Sequence, residues 1–216
     1  MTRVNNTYDS INLAQGFPDF DPPKELIDAA KVALEQGFNQ YAITWGSPKL
    51  RSALAEKLRI YYGLDVDVDK HITVTCGGTE AMVSTMLAVI DPGDEVIIFE
   101  PFYENYGPDT LLSQGKPVYV RLHQKNDAFV FDDDELRKAF TKNTKAIVVN
   151  TPHNPTGKVF SYDELCTISD LCKEYDALAI TDEPYEHILF DGTSHHMIAT
   201  LPDMQNRTIT VNSLSK

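Results

Sequence analysis

Lys216 stands directly after the β-branched run "TITVNS". A lysine is ordinarily solvated surface. One that leaves a strand end among polar groups is an amine placed to form a Schiff base with a carbonyl. Asp182 ends another apolar run, "ALAITD", where a lone carboxylate needs either an ion-pair partner or some other cation. Tyr185 follows three residues later, in "DEPY". Asn154 lies in "NTPHNPTGK", whose two Asn, two Pro and one Gly make a rigid turn that holds an amide still. Tyr103, in "EPFYENY", is an aromatic able to cover a flat ring. In "CGGTEAM", Gly77 and Gly78 precede Thr79 at a helix start, where exposed N–H groups receive a phosphate. Ser213 adds a hydroxyl three residues before the lysine. Singly, these are turn glycines, half-buried aromatics and surface charges. Together they suit a flat, phosphorylated aldehyde whose ring nitrogen is kept protonated, which is the chemistry of pyridoxal phosphate.

The elements that must position these groups alternate along the chain. From residue 70 onward, β-rich apolar runs are followed by helical stretches: "HITVTC" by "TEAMVSTMLAVI", "EVIIFEP" by "ENYGPDTLLSQG", "PVYVRL" by "DDDELRKAF", and "KAIVVNTP" by "SYDELCTISDLCKEY". "ALAITDEPY" and "TITVNS" complete six expected strands. An aspartate cap opens the third of these helices, and a Ser161–Glu164 capping box opens the fourth. The pattern predicts an α/β fold, a mostly parallel sheet with helices on both faces. Ligands of such sheets collect at the carboxyl ends of the strands, where all the residues above fall. Before this, residues 1 to 22 read as an extended arm. "PKELIDAAKVALEQG" and "SPKLRSALAEKLRIYYG" read as helices closed by Gly37 and Gly63, the second with Leu50, Leu54, Leu58 and Tyr62 on one stripe. The organisation expected is an N-terminal arm with the start of the first helices over 1–45, and a cofactor-binding large domain over 46–216.

Bulk properties exclude several function classes. The 216 residues carry a net charge of −13. No basic stripe exists to neutralise phosphates, so neither nucleic acid nor an anionic membrane surface is an expected partner. Cys76, Cys166 and Cys172 lack CxxC spacing, which fits a reducing compartment and a cytoplasmic location. His153 has no carboxylate or cysteine at ligand spacing and reads as structural; His195 and His196 sit in a polar loop. No metal site is expected. A doubly wound nucleotide-binding fold fits less well, because neither G-x-G-x-x-G nor G-x-x-x-x-G-K-[ST] occurs.

"HNPTG", "TDEPY" and "SLSK", in this order on successive strand ends, resemble the fold-type I pyridoxal phosphate aminotransferases of classes I and II. "NLAQGFPDF" and "QYAITWGSPKLRSALA" extend the resemblance over about residues 11–216, with the kynurenine, glutamine and methionine aminotransferases as its nearest branch. The resemblance implies Lys216 as the Schiff-base lysine, Asp182 on the pyridine nitrogen, and Tyr185 and Asn154 on the ring oxygen. It also implies Tyr103 stacked on the ring, Gly78, Thr79 and Ser213 around the phosphate, and Tyr41 reaching the phosphate of a partner subunit in a homodimer. Gly16 and Asn154 would lie against the substrate. Pro101 and Pro155 would follow cis bonds.

The activity so implied moves an amino group from an amino acid to a 2-oxo acid. The expected donor is large and uncharged, aromatic or sulfur-containing. A carbon–sulfur β-lyase on the same scaffold and a non-catalytic cofactor-binding module stand as alternatives. The resemblance further implies an internal fragment, inactive alone, lacking the small domain and the arginine that grips the substrate carboxylate. In that case "HITVTC" and "TITVNS" would not pair with each other.

Overall fold

Five apolar runs assemble into one parallel sheet in the computed structural model, which describes residues 2–11 and 20–216. The strands are β1 (Glu95–Glu100), β2 (Lys116–Arg121), β5 (Thr144–Asn150), β6 (Leu178–Asp182) and β7 (Thr208–Val211), in the spatial order β2-β1-β5-β6-β7. A short antiparallel hairpin, β3 (His123–Lys125) with β4 (Ala128–Val130), branches off after β2. Its turn uses Asn126 at φ 54°, one of the few side chains that tolerates the left-handed region.

The chain divides into two units, Met1–Ala42 and Ile43–Lys216. The first contains α1 (Thr2–Tyr8) and α2 (Lys24–Glu35). Residues 2–8 are therefore helical, where an extended arm was expected. The Thr7 hydroxyl donates to the Arg3 carbonyl at 2.8 Å, a local bond that closes the turn. Helix α2 buries none of its residues.

The second unit holds α3 (Pro48–Tyr62), α4 (Gly78–Val89), α5 (Tyr106–Leu112), α6 (Asp133–Ala139) and α7 (Tyr162–Glu174). Strand residues alternate between its two cores, as the period of two requires. Ile97, Phe99, Ile147, Val149 and Ala179 pack under Leu136 of α6 and Leu165, Ile168 and Leu171 of α7. Val96, Ile98, Ala146, Val148 and Ile180 pack under Met82 and Met86 of α4 and Tyr106 of α5. Burial on both faces is why these strands read as continuous apolar runs.

The sixth expected strand, "HITVTC", joins no ladder among the described residues. Val74 instead donates its N–H to the Trp45 carbonyl at 3.0 Å. It packs so tightly on Gly46, at φ 97°, that a Cβ there would lie 2.5 Å from Val74 Cβ. That glycine turn fixes the segment apart from the sheet, and β7 pairs with β6 alone. The sheet is thus wholly parallel, and "HITVTC" and "TITVNS" do not pair. The bonds before Pro101 and Pro155 are cis, as expected, and so is the bond before Pro152.

Strand order reverses between β1 and β5, and a crevice at such a reversal is the usual ligand site. From β5 onward the carboxyl ends of the strands line up, with Asn150 opposite Asp182 and Asp182 opposite Val211.

Candidate active site

Asp182 is the centre of the arrangement. Its carboxylate Oδ2 accepts from the Tyr106 hydroxyl at 2.5 Å. Burial raises the Asp182 pKa to about 6; the Tyr106 bond opposes this, the neighbouring Glu183 charge adds to it, and Lys216 lowers it. Tyr106 itself is pushed well above the ordinary phenol range by burial and by that carboxylate. A half-buried carboxylate whose one hydrogen-bond donor is neutral is under-compensated, and a cationic group on its free side would relieve the cost.

Lys216 is exposed, and its Nζ lies 5.8 Å from the Tyr185 ring centroid. Burial and then the Asp182 charge raise the Tyr185 phenol, with Asn154 opposing. Asn154 is held by its backbone, which donates to Asn150 Oδ1 at 2.7 Å. Asn150 in turn donates Nδ2 to the carbonyls of Asp182, at 2.7 Å, and of Pro152, at 3.2 Å. The rigid turn is thereby tied to the end of β6. Tyr103 stands edge-on to Tyr106, with ring centroids 5.9 Å apart, and so borders the same space.

The glycine turn supplies the other end. Gly77 adopts φ 87°, a conformation that favours glycine, and leads into α4 without any side-chain cap. The first-turn N–H groups of α4 thus stay open to a ligand. A Cβ built on Gly78 would stand 3.9 Å from Ser213 Cβ, so the serine of the last segment adjoins this helix start. Asn105 Nδ2 contacts Thr79 Oγ1 at 3.4 Å.

The structure thus brings together Asp182, Tyr185, Asn154, Tyr103 and Lys216 at the strand ends, with Gly78, Thr79 and Ser213 around the α4 start. Tyr41 belongs to the first unit and is fully exposed. Gly16 lies outside the described residues. Sequence reasoning passed over Tyr106 and Asn150. Tyr106 was the second tyrosine of "FYENY", and only α5 shows that it faces the aspartate. His153 is buried against Thr156, 2.8 Å from Nδ1 to Oγ1, and burial lowers its pKa to about 4. His195, expected in a polar loop, is buried 2.8 Å from Glu183.

The donor set fits pyridoxal phosphate: an open helix start beside a serine for the phosphate, a half-buried carboxylate for the ring nitrogen, a phenol and an amide for the ring oxygen, and an amine for the aldehyde.

Comparisons with known proteins agree. The chain is 40% identical over 216 residues to the probable N-succinyldiaminopimelate aminotransferase DapC of Mycobacterium tuberculosis, covering 100% of this chain and 54% of that protein. It is 40% identical over 225 residues to kynurenine–oxoglutarate transaminase 1 of Homo sapiens, covering 99% of this chain and 53% of that protein. The solved structure of N-succinyldiaminopimelate aminotransferase from Mycobacterium tuberculosis matches with a TM-score of 0.97 at 40% identity, covering 100% of this chain and 56% of that one. The chain spans about half the length of the curated relatives it matches. The family described as aminotransferase class I and II matches residues 8–216. This chain belongs to the class I and II aminotransferase family.

Proposed function

We propose that this chain carries the pyridoxal phosphate site of an aminotransferase that moves an amino group from an amino acid to a 2-oxo acid. The observation that carries the reading is the under-compensated Asp182 carboxylate, aligned in register with Asn150 and within reach of the Lys216 charge. When bound, the cofactor supplies an aldehyde carbon and a ring that accepts an electron pair.

The chain's residues then have distinct tasks. The Lys216 Nζ would hold the aldehyde carbon, and as a free amine it would carry the proton to and from the substrate α-carbon. The Asp182 carboxylate would accept the N–H of the protonated ring, a cation that would offset the cost of its burial. Tyr185 and Asn154 hold the ring oxygen, and Tyr103 covers the ring face. The α4 start at Gly78 and Thr79, with Ser213, holds the phosphate. Asn154 would also border the substrate.

Residues 46–216 form the cofactor-binding domain in this reading, and 1–45 the arm. The exposed apolar side chains Leu26, Leu34, Phe38 and Tyr41 support an arm that packs on a second copy in a homodimer, with Tyr41 reaching the partner's phosphate. The kynurenine specificity in a relative's name supports a large uncharged donor. Three unpaired cysteines support a reducing, cytoplasmic setting.

Borohydride reduction of the protein loaded with pyridoxal phosphate, followed by peptide mapping, tests the reading. Label on Lys216 is expected. Label confined to another lysine refutes the assignment.

A further inference from the structure

Glu186 adjoins Tyr185 and is only 4% exposed, yet its carboxylate receives three donors. Lys57 Nζ and the Tyr62 hydroxyl reach it from α3, and Asn212 Nδ2 donates to its Oε1 at 2.6 Å. Burial by itself would raise its pKa, but the bonds from Lys57, Tyr62 and Asn212 outweigh burial and hold it below the usual carboxylate range.

Asn212 carries the connection onward. Its Oδ1 accepts the Ser213 N–H at 2.7 Å. Ser213 Oγ then accepts the Ser215 N–H at 3.2 Å and lies 2.8 Å from Ser215 Oγ. The β6–β7 ladder ends at Val211. Past that point no strand neighbour directs the backbone, and this run of side-chain bonds ends one residue before Lys216.

We propose that Glu186 is a positioning residue for the Ser213–Lys216 segment. It acts through the Asn212 amide, so that the phosphate-side hydroxyl and the amine are set in place before a ligand arrives. Helix α3, which supplies none of the groups assigned to the cofactor, then supports the site through Lys57 and Tyr62. The proposal rests on the cofactor reading above.

A double-mutant cycle tests it, read out as the dissociation constant of pyridoxal phosphate from its absorbance, with melting of the cofactor-free protein alongside. Glu186→Met should weaken cofactor binding about tenfold, the scale of one lost charge-assisted bond. In an Asn212→Ala background the same change should weaken it less than about twofold. Equal effects in both backgrounds would mean that Glu186 acts only on general stability, and would overturn the proposal. Should Glu186→Met fail to fold, the exposed Asn212→Ala substitution tests the link from its other end: unchanged affinity for that variant overturns it as well. Borohydride label on Lys216 in the unmutated protein separates the two readings. If that label is present and all affinities are equal, the positioning role alone fails. If the label lies elsewhere, the cofactor reading fails and the positioning role falls with it.

Discussion

The helices on the two faces of the sheet begin in different ways. On one face, α6 starts with Asp132 accepting the Glu135 N–H at 3.0 Å. Helix α7 starts with a complete capping box, Ser161 Oγ to the Glu164 N–H at 3.2 Å and Glu164 Oε2 to the Ser161 N–H at 2.8 Å. On the other face, α4 and α5 start with no side-chain cap. The polar burden divides the same way. The face under α6 and α7 is an apolar cluster, whereas the face under α4 and α5 holds Tyr106, bonded to Asp182, and Asp109 in α5, whose pKa burial raises. One face is satisfied from within and supplies stability. The other leaves donors open and a carboxylate under-compensated, which is what a ligand-binding face requires.

The largest expected break in this contrast is Lys216→Ala. It removes an exposed side chain, so melting should hardly move. On the proposed aminotransferase reading, turnover of a cofactor-loaded enzyme carrying this chain should fall about 10²–10⁴-fold, the usual worth of a positioned proton carrier. A loss below tenfold would take the amine out of the chemistry.

Asp182→Asn sharpens the comparison in the opposite direction. The folded-state pKa of Asp182 is raised, so the protonated carboxyl is the form the fold favours. Its penalty is absent below the unfolded value near 4, grows as pH rises toward about 6, and is constant above that. At pH 7 the cofactor-free asparagine variant should therefore be more stable, by roughly 2–3 kcal/mol before allowance for solvent. That gain should shrink as the pH falls below about 6 and vanish below about 4. Transamination should drop at the same time. Thermal melts of both forms between pH 4 and 8 check the sign, and a variant less stable at pH 7 would contradict it.

The smallest effect compares two helix starts. Ser161→Ala should cost about 1 kcal/mol of stability and leave cofactor affinity unchanged. Thr79→Ala should do the reverse, weakening cofactor binding with little change in melting. Swapped outcomes would erase the distinction between the faces.

Much of this was legible in the residues alone. Apolar runs bounded by turn residues determined β1, β5 and β6, because strands buried on both faces have no polar positions to interrupt them, and β-branched residues marked the edge strands β2 and β7. Local capping chemistry determined the starts of α6 and α7, since a cap needs partners only three residues apart. The order of the strand ends placed Asp182, Tyr185, Ser213 and Lys216 at one edge of the sheet. Tertiary structure decided what depends on partners distant in sequence. "HITVTC" has the composition of a strand, yet a strand also needs a neighbour, and Val74 met the Gly46 turn instead. Nothing in the sequence marked Tyr106 until α5 set its hydroxyl against a carboxylate 76 residues away. The bond from Lys57 to Glu186 spans 129 residues. No local pattern encodes such a contact, because which polar groups lose water together is settled only when the sheet and its helices close around them.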